Sequence, residues 1–409
     1  MTQFTPADLT ELRDQIAGVL AAGEPVELIA GGSKRGFGRP VQAAHILDLT
    51  RLSGIRDYTP SELVLTVGAG TPLGEIESAL EEAGQMLAFE PPDWRRLLGA
   101  GEQDGTGPTL GGVLSCNLSG PRRIHAGAAR DHFLGFRAVS GRGEIFKAGG
   151  KVIKNVTGYD LPKLMAGSYG TLAALEEVTV KVMPRPETVA TLLFTKVEPA
   201  AAERLMTAAL GSPNEVSGAA YLPAGTAVPL GPPGHNGTVA LRVEGSTPSV
   251  EFRHDSLTRE HRTAGSLEML AGSEAVAFWR AIGDAAPLSG LADRAVWRIS
   301  VAPARGAELG EAISRSLDAV WFLDWGGGLL WAAVAETGDA GADAIRAAIR
   351  GPDGRNTGHA TLVKGSQALR GSVPVFEPQP AVLAALSRRV KNAFDPVHIL
   401  NPGRMVEGS

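Results

Sequence analysis

Four glycine-rich stretches in the first half of the chain, at 31–38, 68–71, 109–120 and 167–172, hold residue types suited to gripping a large anion. Glycine lets backbone N–H groups come close to a ligand. Ser33, Ser115 and Asn117 add side-chain donors, and Lys34 and Arg130 bring positive charge nearby. Glycine is also the compositional outlier, at 52 of 409 residues, or roughly 13% against about 7% in an average protein. One such cluster reads as a tight turn. Four in one half of a chain read as a site assembled from several loops.

The first stretch, IAGGSKRGFG at 29–38, follows a short apolar strand, so the standard phosphate loops can be tested against it. A P-loop requires Gly-x-x-x-x-Gly-Lys-Ser/Thr, but Gly31 leads to Gly36 and then Phe37. The dinucleotide fingerprint Gly-x-Gly-x-x-Gly fails after Gly70, where Leu73 stands in place of the third glycine. A kinase glycine loop lacks every partner motif. None of the three accounts for the loops.

The elements that must place these loops alternate short strands with helices. A helix starting at Thr5 and Pro6, with Leu9, Leu12, Ile16 and Val19 on one face, ends at Gly23. Strands are expected over 26–30, 46–49 and 63–67, and a helix over 72–83 with Leu73, Ile76 and Leu80 buried. Residues 109–131 read as loop and short helix, and 133–140 with 144–148 as a hairpin around Gly141-Arg142-Gly143. An alternating strand over 171–183 leads to a linker, Pro184-Arg185-Pro186. Beyond it, strand-helix-strand-strand occurs twice, over 192–197, 200–210, 216–222 and 238–243, then over 295–301, 307–317, 320–325 and 329–335. A helix over 340–349, a strand over 360–364 and a helix over 381–393 follow. Two such units can lay their strands into one antiparallel sheet with helices on one face. No sequence identity links them, so a true repeat stays open at this point.

Composition excludes several classes. A chain of 409 residues exceeds one compact core and predicts two or three domains. A net charge of −5 argues against nucleic acid, which needs a basic surface. No stretch is apolar and long enough for a membrane-spanning helix, and the first residues lack the basic start of a secretory signal. The single cysteine, Cys116, cannot make an internal disulfide or hold an iron–sulfur cluster, which takes four ligands. A cytoplasmic protein without a cluster or metal site of its own is expected, and the sequons at Asn117, Asn155 and Asn236 are then chance matches.

The order of the loops resembles the FAD-binding domain of the vanillyl-alcohol oxidase / p-cresol methylhydroxylase superfamily. The matching stretches are AGGSKRGFG (30–38), VGAGTPL (67–73), TLGGVLSCNLSG (109–120), GAARDHFLG (127–135), GSYGTLAALEEVTVKV (167–182) and FDPVHILNPGRM (394–405). Within that superfamily the chain is similar to the smaller flavin-binding subunits of bacterial glycolate oxidases, most specifically through KNVTGYDLPKLMAGSYGTL (154–172) and VHILNPGRM. The resemblance spans nearly the whole chain and is weakest over 210–290. It implies an α+β fold with a two-subdomain FAD-binding PCMH-type domain over 1–186. A cap domain, an antiparallel sheet flanked by helices, would cover 187–393, and a segment over 394–409 would return to the FAD domain.

The resemblance also implies a site. Gly31, Gly32, Ser33, Lys34, Arg35 and Gly36 would wrap the FAD pyrophosphate, with Gly70 and Thr71 in the next loop. Thr109, Gly111, Gly112, Ser115, Asn117 and Gly120 would line the flavin and its phosphates. Gly127, Gly170 and Thr171 would complete the pocket, the backbone near Val178 would meet the adenine, and Asn401 would sit near the flavin ring. Some members attach flavin through a histidine in the first loop. Residues 31–38 contain none, so the FAD is expected to be non-covalent, and Cys116 is read as a small hydrophobe.

The implied activity is oxidation of glycolate or a related 2-hydroxy acid. Electrons would pass to an iron–sulfur subunit in a complex with a larger FAD-binding subunit, placed in the cytoplasm or peripherally at the inner membrane. Such chemistry needs a base for the hydroxyl proton and cations for the carboxylate. The histidine-rich metal-associated stretch of the larger relatives is missing; Gly358-His359-Ala360-Thr361 is the nearest sequence. His359, Arg123 and Asn401 are the catalytic candidates, although His359 also reads as structural. Arg122, Arg123, His125 and Arg130 form a cluster that reads equally as a carboxylate or pyrophosphate site and as a solvated loop, and Trp94-Arg95-Arg96 is a weaker case. Trp321, Trp325 and Trp331 read as core or subunit interface. An auxiliary electron-transfer flavin and a second dehydrogenase site are both open, as are a free-standing FAD oxidoreductase of another hydroxy acid or alcohol and a non-catalytic scaffold.

Overall fold

The computed structural model describes residues 1–100, 107–150, 158–227, 229, 237–351, 354–355 and 357–408. Asn155 and Asn236 lie outside them. The first helix is Leu9–Ala22, with Leu12, Ile16 and Val19 buried. It starts later than Thr5 and Pro6 because Asp8 caps it, its carboxylate accepting from the Thr10 and Glu11 N–H groups. The residues before it form a strand instead. Thr2–Phe4 and Val26–Ile29 flank His45–Asp48 in a three-stranded parallel sheet.

A five-stranded antiparallel sheet forms the second layer, in the order Ile55–Thr59, Val64–Gly68, Ala173–Lys181, Phe133–Ser140, Ile145–Gly149. The expected hairpin about Gly141 is its edge. The helix Leu73–Glu82 packs Leu73, Ile76 and Leu80 into the core beside it. The segment read as a linker is partly ordered by pairing, since Met183–Pro184 pairs with Gln85–Met86.

The rest of the chain builds one eight-stranded antiparallel sheet. Its order is Ser266–Ala271, Thr188–Thr195, Thr238–Gly245, Gly218–Leu222, Val320–Asp324, Leu329–Ala335, Arg294–Ser300, His359–Lys364. Each group of four strands comes from a strand-helix-strand-strand-helix-strand run, and the two groups lie in mirrored order across the Tyr221–Leu323 contact. The repeat is present in topology without sequence identity. Alternation along the strands sends one set of residues, including Leu192, Phe194, Trp297 and Leu330, against the flanking helices. The other set, including Leu193, Val296, Phe322 and Trp331, shares a core with the first half of the chain. That shared core sets the sheet over the glycine loops.

Candidate functional site

Where the strand Val26–Ile29 runs out, a cavity opens with about 770 Å³ of empty space, mouth included. Gly31, Gly32, Ser33, Lys34 and Arg35 line it from the first loop, and Thr109, Gly111, Gly112, Ser115 and Cys116 from the helix Leu110–Cys116 with its cap. Gly170 and Asn401 close it. Four separate parts of the chain thus meet. Asn401 is the tie between them: its Oδ1 accepts from the Leu28 N–H at 2.8 Å and its Nδ2 donates to the Tyr169 carbonyl at 2.8 Å. A methyl group on Gly170 would stand 2.7 Å from that Nδ2, so only glycine fits beside it.

The remaining expected ligands lie behind the wall. Gly70 lets the chain pass the Leu49 carbonyl, which a methyl would meet at 2.2 Å, and Thr71 is fully buried with its hydroxyl donating to Gly68 O. Gly36 packs near Leu98, and Gly120 against the Glu90 backbone. Asn117 ends the Leu110–Cys116 helix at φ +50 and accepts from the Arg130 N–H. Gly127 ends the helix Arg123–Ala126 at φ +90. Thr171 presents its carbonyl to Lys391, and Val178 is buried in the central strand of the five-stranded sheet.

The cavity is built for negative charge. Among the described residues Lys34 bonds to the Ser33 hydroxyl alone, at 3.0 Å, and no carboxylate forms an ion pair with it, although the charge of Asp93 reaches it. Burial pulls its ammonium below the usual lysine range. Gly32, at φ +69, turns the place of a side chain into open space, and the hydrogen of Gly112 points toward the Thr109 hydroxyl and the Lys34 amine. A half-buried cation outside any ion pair of the described residues, set among glycine backbone, suits a pyrophosphate, so the residues fit FAD. Arg35 and Arg404 are instead held by Glu27, at 2.6 and 3.8 Å. Burial pushes the Cys116 thiol up, which leaves it neutral and small rather than an activated nucleophile.

The expected basic cluster comes apart. Arg122 is buried and committed to ion pairs with Glu90 at 2.9 Å and Glu244 at 2.7 Å, because a cation at that depth needs anions. Arg130 is exposed beside Asp131, and His125 is exposed. Arg95 is paired with Asp93. Arg123 is half-buried over the Trp325 ring. His359 begins the last sheet strand opposite Ser300, held below the usual histidine range by burial and by the charges of Arg298 and Arg123. Trp321 packs on Gly310 and Trp331 on Trp94 and Phe322 as core residues, whereas Trp325 carries two guanidinium groups. Arg298 was missed by sequence reasoning; a lone arginine inside the apolar run AVWRISV was the available signal.

A family model for an FAD binding domain matches residues 3–149. The glycolate oxidase subunit GlcE of Escherichia coli is 33% identical over 399 residues, covering 96% of each chain. The glycolate oxidase subunit GlcD of Bacillus subtilis is 34% identical over 154 residues, 38% of this chain and 30% of that protein. In fold, p-cresol methylhydroxylase with substrate bound aligns over 99% of this chain and 88% of that one, with a TM-score of 0.71 at 15% identity.

Proposed function

The chain belongs to the FAD-dependent oxidoreductase family that includes the glycolate oxidase subunit GlcE, and we propose that it is the FAD-carrying subunit of a glycolate-oxidising complex. Glycolate or a close 2-hydroxy acid would be oxidised to the 2-oxo acid. The partners would be a larger FAD-binding subunit and an iron–sulfur subunit. The observation that carries this reading is the glycine-lined cavity with its unpaired Lys34, in a chain that aligns end to end with a glycolate oxidase subunit.

Bound FAD supplies the two-electron chemistry; the residues supply placement. Gly31, Gly32, Ser33 and Lys34 would hold the pyrophosphate, with backbone N–H groups and one ammonium ion facing it. Ser115 and Gly112 would extend the cradle from the second wall. Asn401 and Gly170 would fix the far end, where the ring system belongs. With no histidine in residues 31–38 and a neutral Cys116, nothing in the cradle is set up for a covalent bond. One cysteine cannot hold a cluster, so an iron–sulfur relay for electrons leaving this cavity would lie in another chain. No helix among the described residues is long and apolar enough to cross a membrane.

Purification of the tagged chain from its native extract tests the reading. Two further subunits, one with an iron–sulfur spectrum, should accompany it, and the assembly should be reduced by glycolate. Acid precipitation should release its flavin. A chain that arrives alone and oxidises another alcohol would overturn the assignment.

A further inference from the structure

Two cations at the seam between the halves form no ion pair among the described residues, although the charge of Asp324 reaches one and that of Asp131 the other. Arg298 lies within the strand Arg294–Ser300, in register with Trp331 and Thr361, on the sheet face turned toward the first half. Arg123 begins the helix Arg123–Ala126 of that first half. Their guanidinium carbons lie 4.8 and 4.2 Å from the centroid of the Trp325 ring. Among the described residues that ring is the only direct partner of either group.

The absence is selective. Arg122 and Arg242 lie at the same seam and are both neutralised by Glu90. Arg298 and Arg123 are half-buried, and stacking on a ring offsets only part of the cost of partial desolvation without an acceptor. The fold also spends strain on the ring itself. Trp325 sits at φ +53, an outlier for a bulky residue. The Asp324 carboxylate accepts from its N–H at 2.7 Å, and its indole N–H donates to the Gly120 carbonyl at 3.1 Å. A strained, doubly anchored ring thus carries two guanidinium groups, neither of them in an ion pair among the described residues, and leaves both able to receive an anion. It adjoins the cavity already described, since Tyr169 lines that cavity and lies within electrostatic reach of Arg298.

The geometry points to a carboxylate site belonging to this chain, in which Arg298 and Arg123 bind a small 2-hydroxy or 2-oxo acid beside the FAD cavity and Trp325 holds the two at fixed spacing. The inference rests on the FAD reading of the cavity and deepens it. It makes this chain a substrate-binding subunit and not solely a relay. His359, on the same sheet face and kept neutral, is available to accept a hydrogen bond from the acid's hydroxyl.

Calorimetric titration of the isolated, FAD-loaded chain with oxalate, a compact carboxylate that a flavin does not oxidise, tests this directly. Wild type should bind one oxalate per chain. Arg298→Gln and Arg123→Gln should each weaken it about 10- to 100-fold, the scale of a charge-assisted pair. Arg280→Gln, an exposed cation paired with Glu77, should leave it unchanged. Arg298→Lys, which keeps charge but loses the planar fork, should fall between. FAD content and melting temperature show whether each variant is folded. Wild type that takes FAD but ignores oxalate, or oxalate binding untouched in both glutamine variants, would overturn the site. If the native complex still consumes glycolate in that case, the subunit assignment stands. Arginine-dependent oxalate binding in a chain whose complex ignores glycolate upholds the site and removes that substrate.

Discussion

At Gly32 a methyl group would enter open cavity, whereas at Gly70 it would stand 2.2 Å from the Leu49 carbonyl and at Gly111 2.6 Å from the Ala69 carbonyl. These glycines therefore serve different ends. Gly70→Ala should destabilise the apo-protein by about 1–3 kcal/mol or more through overpacking. Gly32→Ala should cost only about 1 kcal/mol, for a left-handed residue with a Cβ, while stripping the protein of FAD. Thermal melts of the apo-forms and flavin titrations separate the two, and a Gly32→Ala protein with full FAD affinity would remove that loop from the site. Lys34 invites the converse experiment. Lys34→Met removes a partly desolvated charge that no ion pair among the described residues holds, so the apo-protein should melt higher while FAD affinity falls about 10- to 100-fold. The clustering of glycines was legible in the sequence. Which of them face the ligand was not, because the clash at Gly70 comes from a carbonyl some twenty positions earlier that only the fold brings back.

The segment that returns to the cavity is held by one buried ion pair. Lys391, near the end of the helix Ala381–Phe394, donates to Asp395 at 2.7 Å, to the Thr171 carbonyl at 2.7 Å and to the Leu400 carbonyl at 3.1 Å. Asp395 in turn accepts from the Ile399 and Leu400 N–H groups. It thus shapes the turn that delivers Asn401. Asp395→Ala leaves Lys391 charged and unpaired in the interior, which should cost about 3–5 kcal/mol. Because Asn401 bridges Leu28 and Tyr169, FAD should be lost at temperatures where circular dichroism still reports native helix and strand. Simultaneous loss of flavin and secondary structure would show that this segment is part of the general core. The motif FDPVHILNPGRM marked the segment in the sequence, but the role of Lys391 was hidden. A lysine in the run SRRVKNAF looks like one more solvated cation, and only the Thr171 carbonyl facing it reveals otherwise.

The two halves of the molecule meet through charge as well as apolar surface. Glu90 bridges Arg122 and Arg242, and Arg122 reaches on to Glu244. This seam was invisible to periodicity, since each member belongs to a different element. The region 247–271 was equally opaque: the helix Thr247–Glu260 buries few apolar residues and the edge strand Ser266–Ala271 is mostly exposed, so neither shows a clear period. The doubled strand-helix order was readable because its central strands are buried. Burial of the seam sets the molecule's response to pH. Burial alone would raise Glu244, but its Arg122 hydrogen bond and the Arg242 charge bring it from 4.5 down to about 2. Its stabilising share is complete above 4.5 and disappears as pH falls toward 2. Asp324, beside Glu90, Arg242 and Arg298, moves the other way: burial lifts it from 3.8 to about 7. Asp284, beside Asp93, Arg280 and Glu77, is lifted by burial to about 7 as well. Both bind a proton more tightly folded than unfolded, so between pH 4 and 7 they subtract stability as pH rises. Asp324→Asn keeps an oxygen for the Trp325 N–H and should roughly halve that decline in urea unfolding of the apo-protein. Adding Asp284→Asn should abolish the part due to this pair, while the loss below pH 4.5 persists in both variants. A decline unchanged in the double variant would mean that both carboxyls are ionised in the folded protein near neutral pH, with Arg298 then carrying a nearer counter-ion than its position over Trp325 shows.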